Sequence, residues 1–507
     1  MTTDFTAGEP AKAARPARVF TLAPAAILSL LCALQIIVWT VVPVLVNRTP
    51  PTDFLEEVLW SREWRILTYK HPQLPAWLTG AMHWLTGSYL WGGYLLPQIA
   101  VCLTFVLVYA FGRELMGRQA ALAGVLLLPV TGFFSAGTEQ FNHDIAQLPF
   151  WAAISWLLWR AARQDKIGPW VLFGLVGGIS LYAKFSTGLI LIFGLLWLVA
   201  DPTARRRMAR PGPWIAIALV LAFSVPIFLI MARMHFMQLT YVMGRDAWVL
   251  SHRGILYYTG VQLLLLILLP FAMWSAGLFS RRGWPAGTRS AILLDDRRAR
   301  LFLLWMGLGP ALLLCVVSLF AGIGEAWAKP MYDLVGLVAV AYLGRNLTDR
   351  GMRRLVIWAF GMVLFTAAFH TTFVEVTCVY SSRLERICMP GPKVASRLQD
   401  DWHKAVKAPL GIVAGDEFWM MATGAFASDR PSMFTKFSRV DAPWITPTRL
   451  HRQGMLIVWN DTPPGPDIRK WIGDLPIRHQ SFIWQAGRPP VTVSYVIVPP
   501  GTLGAPK

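Results

Sequence analysis

Long apolar runs recur over residues 20–377, and they constrain the fold of this chain more than any other feature. A helix of about 20 apolar residues crosses the hydrocarbon core of a membrane. Hydrophobic residues make up 55% of the chain and charged residues only 15%, whereas a soluble protein carries about 25% charged residues. We therefore predict an all-α polytopic membrane domain with about eleven transmembrane helices. The candidate spans lie near 20–46, 89–111, 119–136, 145–162, 168–184, 187–200, 213–234, 255–279, 301–321, 332–345 and 355–377.

The charges of the connecting loops predict how these spans are oriented. Arginine is concentrated in every second connection, for example at Arg205, Arg206 and Arg207, and acids fall in the others. Because cytoplasmic loops carry an excess of Lys and Arg, we predict a cytoplasmic N-terminal tail over 1–19. An odd number of spans then places residues 378–507 on the opposite side of the membrane.

The net charge and the cysteines each exclude a class of site. The formal net charge is +19, but the arginines fall mostly in short loops, so we predict no nucleic-acid partner. No CxxC pair is present, which argues against a metal-cysteine site. Cys378 and Cys388 lie close together in a polar segment outside the cytoplasm, where a disulfide is expected. Cys32, Cys102 and Cys315 lie in apolar runs and are interpreted as packing residues.

The polar C-terminal segment has the pattern of a small α/β domain. Short apolar runs at 409–415, 454–460 and 491–498 are rich in residues that favour strands. Residues 394–406 have a helical pattern and precede the first of these runs.

The first outer loop, residues 47–88, is the most polar connection in the apolar part of the chain. Its central stretch, DFLEEVLWSREWRILTYKHPQLPAWL, mixes acids, bases and aromatic residues. We predict amphipathic helices along the membrane surface, with the apolar face in the interface and the polar face toward a cavity. Asp53 begins the stretch. It is either a helix N-cap or a carboxylate at the rim of that cavity.

Further polar residues fall on the same predicted side of the membrane, and each has two interpretations. Asp144 caps a helix or forms a second acid facing Asp53. Lys184 either snorkels to the headgroups or binds a phosphate. Arg245, Arg253 and Lys329 are headgroup charges when taken singly. Together they form a cationic chamber beside two carboxylates, and those are the groups that transfer from a phosphate leaving group requires.

The first loop also resembles a known family. It is similar to the first outer loop of C-class membrane glycosyltransferases of families 39 and 83, whose pattern runs roughly DEAxYWxWSxxLxxGYxxHPPxxAWL. Those proteins are related to the protein mannosyltransferases and to the lipid A aminoarabinose transferases. Phe54 and Gln73 depart from the pattern. The matching residues are Asp53, Trp60, Ser61, His71, Pro72, Ala76, Trp77 and Leu78, and Tyr69 and Lys70 directly precede the matching histidine.

The resemblance extends to four later segments, of which residues 324–337 are one. The segment 141–163 is similar to one in which the family has a Pro-Asp dipeptide, and His143 and Asp144 stand at that position. Lys184 falls on the lysine of another family segment. The polar tail resembles the family's outer domain.

The resemblance implies sugar transfer from a polyprenyl phosphate to an acceptor on the periplasmic face of a bacterial inner membrane, with inversion. Asp53 would be the general base and Asp144 would orient the acceptor or Asp53. The cations that would neutralise the departing phosphate are Lys184, His71, Lys70, Arg245 and Arg253.

The roles implied for the remaining candidates are less specific. Glu56, Glu57, His143, Lys329 and Tyr332 are candidate acceptor- or sugar-binding residues. No cofactor is implied, and the sequence does not decide whether the two carboxylates hold a divalent metal ion. The sugar is not readable from the sequence, and the acceptor is lipid A, a polysaccharide, another lipid or a protein.

Two other classes of protein compete with this interpretation. A transporter or flippase of lipid-linked sugars would share the many spans and a basic cavity, but its polar residues would follow a path open to both sides. Here the polar clusters gather on one face, which favours an enzyme. An envelope assembly or sensor protein would need far fewer spans as an anchor.

Overall fold

The structure is a computed structural model that describes residues 22–164, 166–245, 252–279, 296–344, 347–380, 385–485 and 487–502. Helices form this part of the chain up to Tyr380, and every predicted span contains one. These helices are α1 (Pro24–Val46), α2 (Thr52–Trp60), α3 (Leu74–Thr86), α4 (Tyr89–Leu126), α5 (His143–Ala146), α6 (Leu148–Arg163), α7 (Ile167–Ser180), α8 (Thr187–Ala200), α9 (Pro202–Arg205), α10 (Pro211–Arg233), α11 (Met237–Arg245), α12 (His252–Leu266), α13 (Leu268–Ser275), α14 (Arg297–Val317), α15 (Val335–Leu343) and α16 (Asp349–Tyr380).

Six described helices are long and apolar enough to cross a membrane, or up to seven if the helices on either side of the 89° bend after α8 count as one span. The predicted count is higher because several predicted spans are shorter helices, such as α7 and α15. Two other predicted spans share α4, which breaks at Gly117. The φ of +78° at that residue favours glycine over any residue with a Cβ atom. The count of eleven therefore stays a prediction.

The C-terminal part is a five-stranded sheet with helices packed on it. The strand order is β2-β1-β3-β5-β4, with β1 parallel to β2 and β3 and the remaining pairs antiparallel. The predicted helix and the three predicted strands are all present. The elements are α17 (Gly391–Val406), β1 (Ile412–Gly415), α18 (Glu417–Phe426), β2 (Ser432–Phe434), α19 (Pro447–Gln453), β3 (Met455–Asn460), α20 (Pro466–Ile472), β4 (Arg478–Phe482) and β5 (Val491–Val498).

A disulfide joins the end of α16 to the segment that leads into this domain. It links Cys378 to Cys388, the pair expected from the sequence. Cys32, Cys102 and Cys315 are free cysteines on membrane helices, as expected for packing residues.

The first loop is packed differently from the prediction. Residues Phe54 to Trp60 of α2 are all buried, and the apolar ones belong to the same core as the C-terminal domain. The approach is close at Gly424 of α18, where a Cβ atom would lie 2.8 Å from Leu59. Arg62 adds hydrogen bonds to the carbonyl oxygens of Gly424 and Pro431. The expectation that the apolar face of α2 lies in the membrane interface is therefore wrong, since that face is buried in protein.

Both departures from the family pattern in this loop are buried outside the cavity that is described below. Phe54 is 4% exposed and packs on α4, where a Cβ atom at Gly93 would lie 2.1 Å from its ring. Gln73 is 1% exposed, and its amide donates to the carbonyl oxygen of His71 at 3.3 Å. These two residues therefore support the loop rather than lining a binding site.

Candidate active site

A cavity of about 370 Å³ lies where the first loop meets four later segments of the membrane domain. It collects most of the polar residues singled out in the sequence. Such a concave site with a few convergent polar groups is the usual form of an active site. The lining residues are Asp53, Glu56, Lys70, His71, Gln140, Asn142, His143, Asp144, Lys184, Phe185, Ser186, Tyr241, Gly324, Glu325, Ala326, Trp327 and Lys329.

Asp53 lies in the first turn of α2 and is exposed. It does not cap the helix, because the N-cap residue is Pro51. Its Oδ2 accepts a hydrogen bond of 3.0 Å from Nδ2 of Asn142. The interpretation of Asp53 as an N-cap is therefore wrong, and its carboxylate lines the cavity.

Asn142, and not Asp144, is the N-cap of α5. Its Oδ1 accepts from the backbone N–H groups of Asp144 at 3.0 Å and Ile145 at 3.1 Å. The capping oxygen thus turns the amide nitrogen of the same side chain toward Asp53. The sequence analysis assigned Asn142 no role, although Asn before an apolar helix is a recognisable capping signal.

Asp144 and Lys184 form a nearly buried ion pair. Lys184 Nζ lies 2.5 Å from Asp144 Oδ1, and the two residues are 8% and 9% exposed. Gln147 donates to the same oxygen at 3.3 Å, and the lysine also lies 5.2 Å from the ring centroid of Trp327. The snorkelling interpretation of Lys184 is wrong, because its ammonium group turns into the cavity.

Lys70 carries a second ion pair in the cavity wall. Its Nζ lies 2.7 Å from Glu56 Oε1 and near the ring faces of Tyr69 and Tyr241. Burial raises the pKa of Glu56 to about 7, with the attraction of Lys70 opposing it. Burial lowers the pKa of Lys70, but the charge of Glu56 outweighs it, and the net direction is upward. Lys70 therefore stays positively charged, while the pKa of its partner Glu56 lies at about 7.

Glu57 lies behind the cavity and holds His143. Glu57 Oε1 is 2.9 Å from His143 Nδ1, and the other ring nitrogen is 2.8 Å from the carbonyl oxygen of Pro72. Burial lowers the pKa of His143, but the charge of Glu57 and the Pro72 carbonyl raise it above its ordinary value overall. The ring of His71 lies nearby, tilted at 40° to that of His143 with 4.2 Å between their centroids. Glu57 thus acts on the cavity through His143.

The other predicted residues have mixed outcomes. Lys329 lines the cavity and donates to the carbonyl oxygen of Gly137, and burial lowers its pKa. Tyr332 does not reach the cavity, because it stacks on Phe133 at 4.3 Å between ring centroids. The side chains of Arg245 and Arg253 lie outside the described part of the structure.

The cavity lining also includes Ser186, which lies close to Lys184, and Trp327, which lies close to Lys329. Gln140 and Glu325 line it too, and nothing in their local pattern distinguished these two from other loop residues. Within the described ranges, no group of three or more His, Cys, Asp or Glu side chains is placed to hold a metal ion.

The fold and the site together define a class of protein. The resemblance to C-class membrane glycosyltransferases implied a polytopic helical domain, a cavity at the first loop lined by acids and bases, and a C-terminal α/β domain. The structure has all three features.

Comparisons with known proteins agree with this class. The model of the dolichyl-phosphate-mannose-protein mannosyltransferase family matches residues 70–230. The crystal structure of ArnT from Cupriavidus metallidurans bound to undecaprenyl phosphate is 15% identical, covers 93% of this chain and 98% of its own, and gives a TM-score of 0.64. Its apo state gives a TM-score of 0.62 at 15% identity, over 95% of this chain and 99% of that one.

No curated protein matches this sequence significantly. The comparisons nevertheless agree with the resemblance that the sequence shows. Residues 70–230 match the mannosyltransferase family model, and the chain shares the fold of ArnT over nearly its whole length.

Proposed function

We propose that this protein is an inverting glycosyltransferase that moves a sugar from a polyprenyl phosphate to an acceptor hydroxyl. The observation that carries the proposal is one cavity holding an exposed carboxylate, Asp53, together with the cations Lys70 and Lys184. A base for the acceptor and positive charge for a phosphate are the two requirements of this reaction. The structure of ArnT with undecaprenyl phosphate supports the choice of donor.

In the proposed reaction the acceptor oxygen attacks the anomeric carbon from the face opposite the phosphate. Asp53 takes the hydroxyl proton as the new C–O bond forms. The bond between the anomeric carbon and the phosphate oxygen breaks, and its electron pair stays on the leaving polyprenyl phosphate. The products are the glycosylated acceptor with inverted configuration and the lipid phosphate.

Asn142 prepares Asp53 for this role. Its amide holds one carboxylate oxygen, Oδ2, at 3.0 Å. The other oxygen, Oδ1, is the one that would receive the acceptor proton. A base fixed in this way needs little reorganisation when the acceptor enters.

Lys184 supplies positive charge for the leaving phosphate, and Asp144 positions it. The 2.5 Å pair with Asp144 holds the ammonium group in the cavity. Losing one preorganised donor to a developing charge typically costs about 100- to 1000-fold in rate. His71 and Lys70 are the next cations along the same wall. The role first expected of Asp144, orienting the acceptor or Asp53, is therefore replaced in this proposal by positioning Lys184.

The orientation that we propose follows from the loop charges. The N-terminal tail lies in the cytoplasm, and residues 378–507 lie in the periplasm of a bacterial inner membrane. The reaction then takes place on the periplasmic side, beneath the C-terminal domain. The Cys378–Cys388 disulfide suits that oxidising compartment.

Transfer by the purified protein tests the proposal. The assay uses a panel of polyprenyl-phosphate sugars, a membrane extract as the acceptor, and the variant Asp53→Asn. The matched control is Asp400→Asn, since Asp400 is an exposed acid on α17 outside the cavity. Transfer lost in Asp53→Asn and kept in Asp400→Asn is expected.

Two outcomes would count against the proposal. Transfer that survives in Asp53→Asn moves the base to another carboxylate, such as Glu56. No transfer by the wild-type protein with any donor contradicts the enzyme and favours a transporter of lipid-linked sugars.

A further inference from the structure

The C-terminal domain contains a second cavity, of about 480 Å³. It lies at the carboxyl ends of the three parallel strands β1, β2 and β3, where the residues following each strand line it. Ligands of open α/β sheets bind at this edge, where successive connections leave in opposite directions. Here β1 lies between β2 and β3, so the cavity occupies that position in the sheet.

The lining combines an aromatic wall with groups that bind hydroxyls. Phe437 stacks on Trp471 behind it, with 5.8 Å between ring centroids. Asp467 and Glu417 contribute carboxylates, which accept hydrogen bonds. Asn460 accepts from Trp419 through Oδ1, so its amide NH₂ group is the part that can donate to a ligand.

The backbone beside this wall adopts an unfavourable conformation. Lys436 and Phe437 follow β2 after Thr435 and have φ values of +52° and +53°. Residues other than glycine rarely adopt that region, and such positions concentrate at ligand sites. The conformation sets two lining side chains, a cation and an aromatic ring, at the edge of the cavity.

Two side chains connect this cavity to the catalytic one. Glu417 Oε1 lies 3.6 Å from Nζ of Lys70, which lines the catalytic cavity. Lys436 Nζ lies 5.0 Å from the ring centroid of Tyr69. The pair of Glu417 and Lys70 therefore joins the linings of the two cavities, and an extended molecule that reaches both would pass this pair.

We infer that the second cavity binds the sugar units of a glycan acceptor that flank the unit receiving the new sugar. An aromatic face suits the C–H face of a sugar ring, while carboxylates and an amide suit its hydroxyls. This inference rests on the proposed glycosyl transfer and specifies the acceptor class. The glycan is either free polysaccharide or the saccharide part of a glycolipid.

The test separates binding from transfer by adding bulk to the cavity. A Cβ atom at Gly465 would meet nothing within 4 Å, and its φ of −63° accepts any residue. Gly465→Trp therefore adds a large side chain at the cavity lining from a position where the Cβ atom meets no clash. The matched control is Ser396→Trp, an equally large side chain at an exposed position of α17 outside the cavity. Asp467→Asn is the milder variant, since Asp467 is exposed and its ion pair is with the exposed Lys470 one turn along the same helix.

Binding is measured on full-length protein and on Asp53→Asn, so that it does not depend on turnover. The probes are the oligosaccharide released from lipopolysaccharide by mild acid, intact lipopolysaccharide, a capsular polysaccharide fragment and a tryptic digest of envelope proteins. We expect at least one glycan probe to bind, and Gly465→Trp to weaken it by about tenfold or more. In transfer assays the acceptor KM rises while the donor KM and kcat stay near wild type, which is the signature of lost uniform binding.

Each outcome decides the inference. Binding of the released oligosaccharide or the capsular fragment supports a free glycan, and binding of intact lipopolysaccharide alone supports a glycolipid. Glycan binding that is equal in Gly465→Trp and Ser396→Trp, or binding of the peptide digest only, overturns it. If the glycan binds in the predicted way but no sugar is transferred, the proposed function fails and the binding site stands.

Discussion

The side-chain amide of Asn142 holds the carboxylate of Asp53 at 3.0 Å, while the oxygen of the same amide caps α5. One side chain therefore fixes both the candidate base and the beginning of the helix that carries Asp144. The two acids do not contact each other directly, and Asn142 is the link between them.

The variant Asn142→Ser keeps the cap of α5 and removes the hydrogen bond to Asp53. Serine is a good N-cap residue, so the thermal stability should remain near wild type. It is too short to reach Asp53, and a misplaced reacting group costs up to about 100-fold in rate. We expect kcat to fall toward that value with little change in Tm. An unchanged kcat would show that Asp53 needs no such support. Asn142→Ala, which loses the cap as well, should lower both kcat and Tm.

The pair of Lys184 and Asp144 should be less tolerant of one change than of two. Removing one partner leaves a buried charge unpaired, whereas removing both does not. Lys184→Met and Asp144→Leu should each lower Tm more than the double variant does. All three should lose most of the transfer activity, because each removes or misplaces the cation for the leaving phosphate. Equal Tm values in the single and double variants would contradict a coupled pair.

Stability should depend on pH through Glu56. Burial raises its pKa from 4.5 to about 7, so between these values the folded state binds more protons than the unfolded state. The stability contributed by this group is full below about pH 4.5 and is lost as pH rises through 7. Glu57, whose pKa burial also raises, contributes in the same direction.

The measurement is Tm against pH for wild type and Glu56→Gln. The fall in Tm between about pH 5 and 7 should be shallower in the variant, because glutamine does not titrate. Parallel curves would mean that Lys70 keeps Glu56 ionised over the whole range.

An acid at position 54, where the family pattern has glutamate, should harm the protein. The Phe54 ring is 4% exposed and packs against Gly93 and Tyr94. Phe54→Asp would place an unpaired charge there, which is strongly destabilising. We expect little folded protein by size-exclusion chromatography in detergent, and Phe54→Leu should fold and transfer sugar. A folded, more active Phe54→Asp would show that this position faces the cavity.

Much of the fold could be predicted, because apolar length and β-branched runs are local signals. They located every helical span and the strands β1, β3 and β5. The strand β2 is only three residues long, and β4 reads Arg-His-Gln-Ser-Phe at the edge of the sheet, so neither has a hydrophobic pattern. The interpretation of α2 failed because amphipathicity shows that a face is buried and does not say whether lipid or protein covers it.

The sequence predicted which side of the membrane the site residues share, but it did not predict which of their side chains contact each other. Asp53, Lys70, Asp144 and Lys184 were grouped because their loops fall on one face, and the cavity does bring them together. Their pairing was not predictable, since Lys184 joins Asp144 across 40 positions of sequence. Tyr332 was misplaced for a similar reason, because its neighbour Lys329 reaches the cavity and the pattern does not give the direction of either side chain.

The shared core of α2 and the C-terminal domain affects how such proteins can be recombined. Leu59 is packed on Gly424, and Arg62 is bonded to the backbone of the same helix. An outer domain grafted from a relative would meet a foreign surface unless residues 47–88 were transplanted with it. The segments that would have to be exchanged together, the first loop and the C-terminal domain, are therefore far apart in the sequence. The first loop also contains the candidate base, Asp53.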